Sequence, residues 1–371
     1  MRRLLLLAWA LLPLLIGAGP AYPQAARAAP SAADTSFAAI VGRLSESGGY
    51  FDTDNLISNE ASYLHVIGGL RQLGLSGGAY LGVGPDQNFS YIAQLRPSIA
   101  ILVDIRRDNL LEHLLFKALF EISRDRAEYL GLLLARPIPP RRSPDETVQR
   151  IVAHFDSAAF SPRILEATRE RIHRRLATYG LELSEVDLAT IDRFHAAFAR
   201  DGLDLRFQTF GRAPQYYYPT LRDLVLERDR EGRHASYLAS DDAFQFVRRL
   251  HLRNRIIPAV GDLAGTEALP AIARFLSERG EPLSAYYTSN VEYYLAQNGT
   301  LDAFIANVAR FPRARNAVII RSLFRTRHPQ SVEGYASTQL LQPIDTLLAQ
   351  YAAGRIRGYY DLVTIGAVDL R

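Results

Sequence analysis

The chain has 371 residues, 48% of them hydrophobic, with 43 basic and 39 acidic side chains and no cysteine. This length and apolar content are enough to bury a large core in one elaborated domain or two. Without cysteine, disulfides, thiolate catalysis and cysteine-ligated metal sites are excluded, and the scattered histidines give us no reason to expect a metal site. The nearly balanced charge gives no support to nucleic-acid binding.

The N-terminus has the three parts of a secretory signal peptide. Arg2 and Arg3 precede an apolar run that extends to about residue 19, and Ala26-Arg27-Ala28 supplies a small-residue cleavage site. We therefore predict a signal peptide over residues 1–28 and export to the periplasm or the extracellular space. The alternative is an uncleaved membrane anchor, although Pro13 interrupts a run that is short of the roughly 20 residues a span needs.

Residues 29–75 are predicted to form a mostly helical lead-in, in which Ser58 is placed to cap a helix with Glu60 in its first turn. The segment "GAYLGV" then has the composition of a buried parallel strand. It turns at Gly82 and Gly84, and Asp86 is placed to cap the helix "QNFSYIAQL". The apolar run "SIAILVDI", ending near Asp104, predicts a second strand, and "DNLLEHLLFKALFEIS" predicts a helix.

Residues 122–235 contain amphipathic helical segments and few strand-like runs, so we predict a helical insertion there. Strands and helices alternate again over residues 236–371. The predicted strands are "RIIPAVGDLAG", "LSAYYTSN", "NAVIIRSLF" and a final "YYDLVTIGAV". Residues 76–121 and 236–371 together predict a doubly wound, mostly parallel, Rossmann-like α/β sheet.

Glycine and small polar or acidic residues follow four of the predicted strands, at Gly82, Asp104, Asp262 and Asn290. Ligands of open α/β sheets bind beyond the carboxyl ends of the strands, so these positions predict a ligand site. The glycines also fit a tight turn with no ligand. Asp86 would repel a pyrophosphate at the helix N-terminus, whereas S-adenosylmethionine, with an ammonium group and no phosphate, meets no such repulsion.

The segments "AYLGVGPDQNFSYIAQLRPSIAILVDIRRDN", "AVGDLAG" and "YYTSNVEYYL", in this order, resemble the class I S-adenosylmethionine-dependent methyltransferase fold. More narrowly, they resemble an uncharacterised bacterial family of exported proteins. The resemblance covers residues 76–121 and roughly 240–371.

The resemblance implies a role for each candidate site residue. Gly82 and Gly84 would lie under the methionine part of the cofactor, Asp104 would bind the ribose, and Asp262 would lie near the adenine. Residues 288–290 would form the catalytic loop, which contains Ser289 and Asn290. Two positions depart from the family pattern: Tyr80 replaces the usual acidic residue, and Asp86 replaces the third glycine, where it could instead meet the ammonium group.

Two interpretations remain open for several motifs. Asn290 and Glu292 could be catalytic, with Glu292 as a base, or Ser289 or Asn290 could cap a helix whose dipole Glu292 complements. The run Ser58-Asn59-Glu60 could be a helix cap or could close over the site. Repeated tyrosine pairs could bind a flat ligand but more often pack at helix–sheet borders, and we expect the histidines at 65, 113 and 251 to be structural.

Two functions follow from these observations. The first is an exported methyltransferase that uses S-adenosylmethionine and acts by positioning the methyl donor. The second is a non-catalytic exported binding or scaffold protein that kept the fold and lost the cofactor. We expect a small-molecule ligand, no nucleic-acid partner, and contact with a membrane only through an uncleaved N-terminal segment.

Overall fold

The computed structural model describes residues 36–140, 142–211, 215–324 and 328–370. The predicted signal peptide and its cleavage site lie outside these residues. None of the helices in the described ranges combines the length and the apolar character that a membrane crossing needs.

Six strands form one sheet in the spatial order β3-β2-β1-β4-β5-β6, and all neighbouring pairs are parallel except the antiparallel pair β5–β6. The strands are β1 (Ala79–Gly82), β2 (Ile99–Asp104), β3 (Ile256–Val260), β4 (Leu283–Ser289), β5 (Arg313–Phe324) and β6 (Ser337–Pro343). The chain reverses its direction of travel across the sheet between β1 and β4, which makes this pair the topological switch point. The predicted α/β class and mostly parallel sheet are confirmed.

Helices cover the sheet and form the region between β2 and β3. They are α1 (Phe37–Leu44), α2 (Ile67–Gln72), α3 (Gln87–Leu95), α4 (Arg107–Ile122), α5 (Arg126–Leu133), α6 (Val148–Ser157), α7 (Pro162–Leu176), α8 (Glu185–Asp201), α9 (Leu221–Leu226), α10 (Asp241–Leu252), α11 (Ala268–Glu278), α12 (Val291–Gln297), α13 (Leu301–Ala309), α14 (Ile344–Ala352) and α15 (Tyr359–Thr364). Short 3₁₀ helices lie at Tyr63–Val66 and Gly202–Asp204.

The described part of residues 122–235 contains helices α5 to α9 and no strand. Side chains of Asp125, Thr147, Ser161, Ser184 and Thr220 accept a hydrogen bond from the first turn of these helices. Such caps satisfy backbone N–H groups that have no partner within a helix. The apolar faces of this region share one continuous core with the sheet. It therefore packs as part of the same body.

The predicted position of the last strand was wrong. The segment "YYDLVTIGAV" contains the helix α15 rather than a strand, with Leu362 and Val363 buried. The sixth strand is instead Ser337–Pro343, which has a polar sequence. Its Gln339 and Gln342 are buried because they hydrogen-bond to side chains of neighbouring elements, so no alternation of polar and apolar residues marked it as a strand.

The lead-in is also less helical than predicted. Residues 45–60, which we call the strap, contain no helix, and Ser58 caps none; its hydroxyl accepts a hydrogen bond from the Glu60 backbone N–H at 3.1 Å. This local bond is a turn motif that competes with helix formation.

Candidate functional site

The strap crosses the carboxyl ends of four strands in their spatial order. Its first residues bond to β3, where the Glu46 N–H donates to Val260 O at 3.0 Å, and then to the end of β2, where the Gly49 N–H donates to Ile105 O at 2.7 Å. Asn55 lies against the turn after β1, and Glu60 reaches β4. Of the two interpretations of residues 58–60, the geometry favours the one in which this segment closes over the strand ends.

The glycine turn after β1 is held by Asn88. Its amide donates to the carbonyl oxygens of Val83, Gly84 and Pro85, at 2.8, 3.2 and 2.8 Å, and accepts from the Tyr80 hydroxyl at 2.7 Å. A Cβ atom at Gly82 would lie only 2.0 Å from Asn88 Oδ1. Gly82 is therefore required by close packing within the protein, and Tyr80, at the position usually acidic, supports the turn.

Gly84 has a φ angle of +79°, a conformation that residues with a Cβ rarely adopt. Asp86 follows at the N-cap position of α3, as predicted, but its side chain makes no capping hydrogen bond. Its carboxylate turns into the core instead and accepts a hydrogen bond from the Tyr237 hydroxyl at 3.0 Å. Burial raises the pKa of Asp86 to about 6, because a charged carboxylate is poorly solvated there.

Asp104, the predicted ribose ligand, lies at the end of β2 with both carboxylate oxygens against the Arg106 guanidinium. Oδ1 is 3.2 Å from Nε and Oδ2 is 3.3 Å from Nη2. The other side of the same guanidinium donates to the strap, at Thr53 O and Asp54 O, with distances of 3.1 and 3.0 Å. Arg106 therefore ties the strap to the carboxylate that the sequence assigns to the ligand.

Asp262, at the end of β3, accepts a hydrogen bond from the Ala264 N–H at 2.9 Å and so stabilises its own turn. Glu46 of the strap accepts from the N–H groups of Asp262 and Ala268, at 2.6 and 3.1 Å. Asp262 is half-buried at the rim of the strand ends. Its side chain is engaged in local structure.

Ser289 and Asn290 lie half-buried at the end of β4. The Ser289 hydroxyl donates to Glu60, whose other oxygen accepts from the Tyr287 hydroxyl at 2.6 Å and from Gln339 Nε2 at 2.9 Å. Asn290 occupies the N-cap position of α12 with Glu292 in the first turn, as the capping interpretation expects, but its side chain makes no capping hydrogen bond.

Glu292 is 1% exposed. It forms a two-pronged ion pair with Arg321 of β5, with distances of 2.6 Å from Nε to Oε2 and 3.1 Å from Nη2 to Oε1. Arg321 is equally buried and also donates to Gln342 Oε1 and Leu362 O. The pairing occupies both oxygens that a base would use.

Five buried side chains around the glycine turn carry polar atoms that have no hydrogen-bond partner in the part of the chain that the structure describes: Thr53 Oγ1, Gln87 Oε1, both amide atoms of Asn109, Glu112 Oε1 and His113 Nδ1. His113 fixes the place of this group, because its Nε2 lies 2.9 Å from Gly84 O. Buried polar atoms are nearly always paired in folded proteins, so such a concentration marks a candidate binding site.

From the sequence we expected only a helix at α4 (Arg107–Ile122) and a structural role for His113. The signal that could have found the group is the spacing of Asn109, Glu112 and His113, which places three polar side chains on one face of a helix rich in leucine and phenylalanine. Burial lowers the pKa of His113 to about 4, so this histidine is neutral at physiological pH.

Three other residues singled out in the sequence, His251, Tyr286 and Tyr287, are packed in the core, although both ring nitrogens of His251 and the Tyr286 hydroxyl have no hydrogen-bond partner among the residues that the structure describes. His251 is buried and stacks on Phe120 at 4.6 Å, and Tyr286 and Tyr287 are fully buried in β4. In the described residues, no group of three histidine, aspartate or glutamate side chains is arranged to hold a metal ion.

Residues 56–355 match the model of one protein family, described as a domain of unknown function (DUF7790). The match begins within the strap and runs through the sheet and the helical region to α14. No curated protein matches the chain. Because the family model covers well over half of its length, the chain belongs to the DUF7790 family.

Proposed function

We propose that this chain is an exported protein whose methyltransferase-like α/β domain binds S-adenosylmethionine, or a related nucleoside with a cationic group, at the β1–β4 switch point. The observation that carries the proposal is the group of unpartnered polar atoms around Gly84. Each unpaired buried polar atom costs about 1–3 kcal/mol. A polar ligand that bonds to them recovers this cost.

The charges around the turn favour a cation over a phosphate. Carboxylates of Asp54, Asp86 and Asp104 lie close enough to act on the ionisation of Glu112, and Arg106 is the basic side chain among them. A phosphate would be repelled here. The sulfonium and ammonium groups of S-adenosylmethionine would be attracted.

Asp104 can bind a ribose only if the Arg106 side chain moves. Arg106 holds both oxygens of Asp104, so ribose hydroxyls would take the place of the guanidinium. Because the same guanidinium bonds to the strap, that exchange would also loosen the strap at Thr53 and Asp54. When bound, S-adenosylmethionine supplies a methyl group on a positively charged sulfur.

The alternative is a non-catalytic binding or scaffold protein that kept the fold. Two observations favour it over methyl transfer. Glu292 forms an ion pair with Arg321, and Asp104 forms an ion pair with Arg106. Among the predicted catalytic residues, Asn290 keeps a half-buried side chain at the strand ends. If transfer occurs, we expect it to depend on positioning rather than on a base.

Calorimetry of the mature chain with S-adenosylmethionine and with its demethylated product tests the proposal. We expect both to bind, and Asp104→Ala to abolish binding of both. The preference for the cationic form should grow as pH rises through about 6, because Asp86 then becomes charged. The exposed Asp108→Asn is a matched control that should leave binding unchanged. Absence of heat and of any thermal shift at millimolar ligand would exclude the proposal.

Export is tested separately. We expect cell fractionation to find the protein outside the cytoplasm and N-terminal sequencing to find a mature chain starting near Ala29. An intact N-terminus in the membrane fraction would support the anchor instead.

A further inference from the structure

We propose that Asn109 and Glu112 bind the planar base of the ligand, each through a hydrogen-bond donor beside an acceptor. This inference rests on the proposed function and names side chains that neither the strand ends nor the predicted site residues include. It concerns the N-terminal half of α4, directly after β2.

The two side chains face the glycine turn together. Asn109, Glu112 and His113 are spaced three and four residues apart, which places them on one face of the helix. His113 Nε2 is 2.9 Å from Gly84 O, so this face lies against the turn. Asn109 and Glu112 are each 1% exposed, so a group that bonds to them must be enclosed by the protein.

Burying the Asn109 amide without hydrogen-bond partners is energetically unfavourable. Its amide Nδ2 and Oδ1 both lack partners, although a leucine of similar size would fit an apolar helix face at no such cost. An amide presents one donor and one acceptor in the same plane. The edge of an aminopurine, with an exocyclic amine beside a ring nitrogen, is its complement, and asparagine recognises adenine in this way when proteins read nucleic acids.

Glu112 offers the same pattern when it is protonated. Burial raises the pKa of Glu112 well above its ordinary range, and the nearby Asp86 carboxylate adds to the rise. A protonated carboxyl has an O–H donor next to a carbonyl acceptor, whereas an ionised one can only accept. Two neutral donor–acceptor pairs on one face suit a flat heterocycle with amine and ring-nitrogen groups better than they suit an anion or a metal ion.

The test measures binding of adenosine and of purine riboside, which lacks the exocyclic amine, by calorimetry on the full mature chain. We expect wild type to bind adenosine at least about tenfold more tightly than purine riboside. Asn109→Leu and Glu112→Leu should each weaken adenosine binding about tenfold or more and reduce the difference between the two nucleosides. Glu112→Gln keeps a donor beside an acceptor and should restore binding.

Asn316→Leu, an exposed asparagine on β5, is the matched control and should bind as wild type does. Circular dichroism melting of each variant separates loss of binding from loss of fold. If wild type binds nucleosides and both leucine variants bind them equally well, with the same preference for the amine, the inference is wrong and the proposed function stands. If wild type binds neither these nucleosides nor S-adenosylmethionine and its demethylated product, both are wrong.

Discussion

The two halves of the strand-end edge differ in how they treat buried polar groups. On the β4–β6 side, every carboxylate oxygen of Glu60 and Glu292 accepts a hydrogen bond from a neighbouring side chain, although Gln339 Oε1 and the Tyr286 hydroxyl have no partner in the described residues. On the β1–β2 side, Asn109 and Glu112 have polar atoms that no group among the described residues satisfies.

We interpret the paired polar groups as stabilising the fold and the unpaired ones as available to a ligand. Paired groups such as Glu292 and Arg321 hold elements together, and removing one of them leaves the other buried and alone. Unpaired groups such as Asn109 reduce stability, so their truncation costs the fold little. We therefore expect substitutions of the paired groups on the β4–β6 side to lower stability more than binding. Substitutions of the unpaired groups on the β1–β2 side should lower binding more than stability.

The largest expected effect is on the β4–β6 side. Glu292→Ala leaves the Arg321 guanidinium buried without its counter-charge, and we expect the free energy of unfolding to fall by about 3–5 kcal/mol in urea denaturation. The exposed pair Arg313–Asp345 is the control, and Asp345→Ala should cost less than about 1 kcal/mol. Equal losses in the two variants would contradict the assignment of Glu292 to structure.

Asp86→Asn tests the charge on the β1–β2 side. The folded-state pKa of about 6 lies above the ordinary value, so the contribution of Asp86 to stability is full at low pH and is lost as pH rises through 6. Asparagine does not titrate. The stability of Asp86→Asn relative to wild type should therefore increase between pH 4 and pH 7 by up to about 3 kcal/mol. Asp108→Asn, at an exposed carboxylate, should show no such trend.

Gly82→Ala tests the packing of the glycine turn. The added Cβ would lie 2.0 Å from Asn88 Oδ1, so the turn must shift, and we expect a loss of about 1–3 kcal/mol in thermal or urea unfolding. Gly42→Ala in α1 is the control, because a Cβ there has nothing within 4 Å. That change should stabilise the helix by about 0.5–1 kcal/mol. A neutral Gly82→Ala would contradict the packing role of Asn88.

The smallest effect on stability should come from the proposed binding face. Asn109→Leu removes two unpartnered polar atoms, and we expect the free energy of unfolding to stay within about 1 kcal/mol of wild type or to rise. Asn88→Leu removes an amide that makes four hydrogen bonds in the turn, and it should cost more than about 2 kcal/mol. If Asn109→Leu costs as much as Asn88→Leu, then Asn109 has a structural role.

The sequence predicted β1 to β5 because strands covered on both faces appear as continuous apolar runs. It did not predict β6, whose glutamines are buried through tertiary hydrogen bonds. It also predicted helix where the strap lies, since Ser58 and Glu60 match a helix start and only the folded sheet shows what Glu60 bonds to.

The candidate site was predicted in part. The position of Gly82, Asp104, Asp262 and Asn290 at one edge follows from parallel strands, and the structure brings them there. Arg106 lies only two residues after Asp104, but its bonds to the strap and the bond of Glu46 to the Asp262 N–H depend on a segment that is distant in sequence, and no local pattern reveals them. Glu292 was grouped with its neighbours in sequence, although its side chain faces β5.

The most direct test of the central claim is native mass spectrometry of the protein purified from its own compartment, before and after incubation with S-adenosylmethionine and its demethylated product. We predict a bound nucleoside, or one acquired on incubation, that is lost in Asp104→Ala and in Asn109→Leu. A protein that neither carries nor acquires a nucleoside under these conditions would contradict the claim that the β1–β2 side of the strand-end edge is a ligand site.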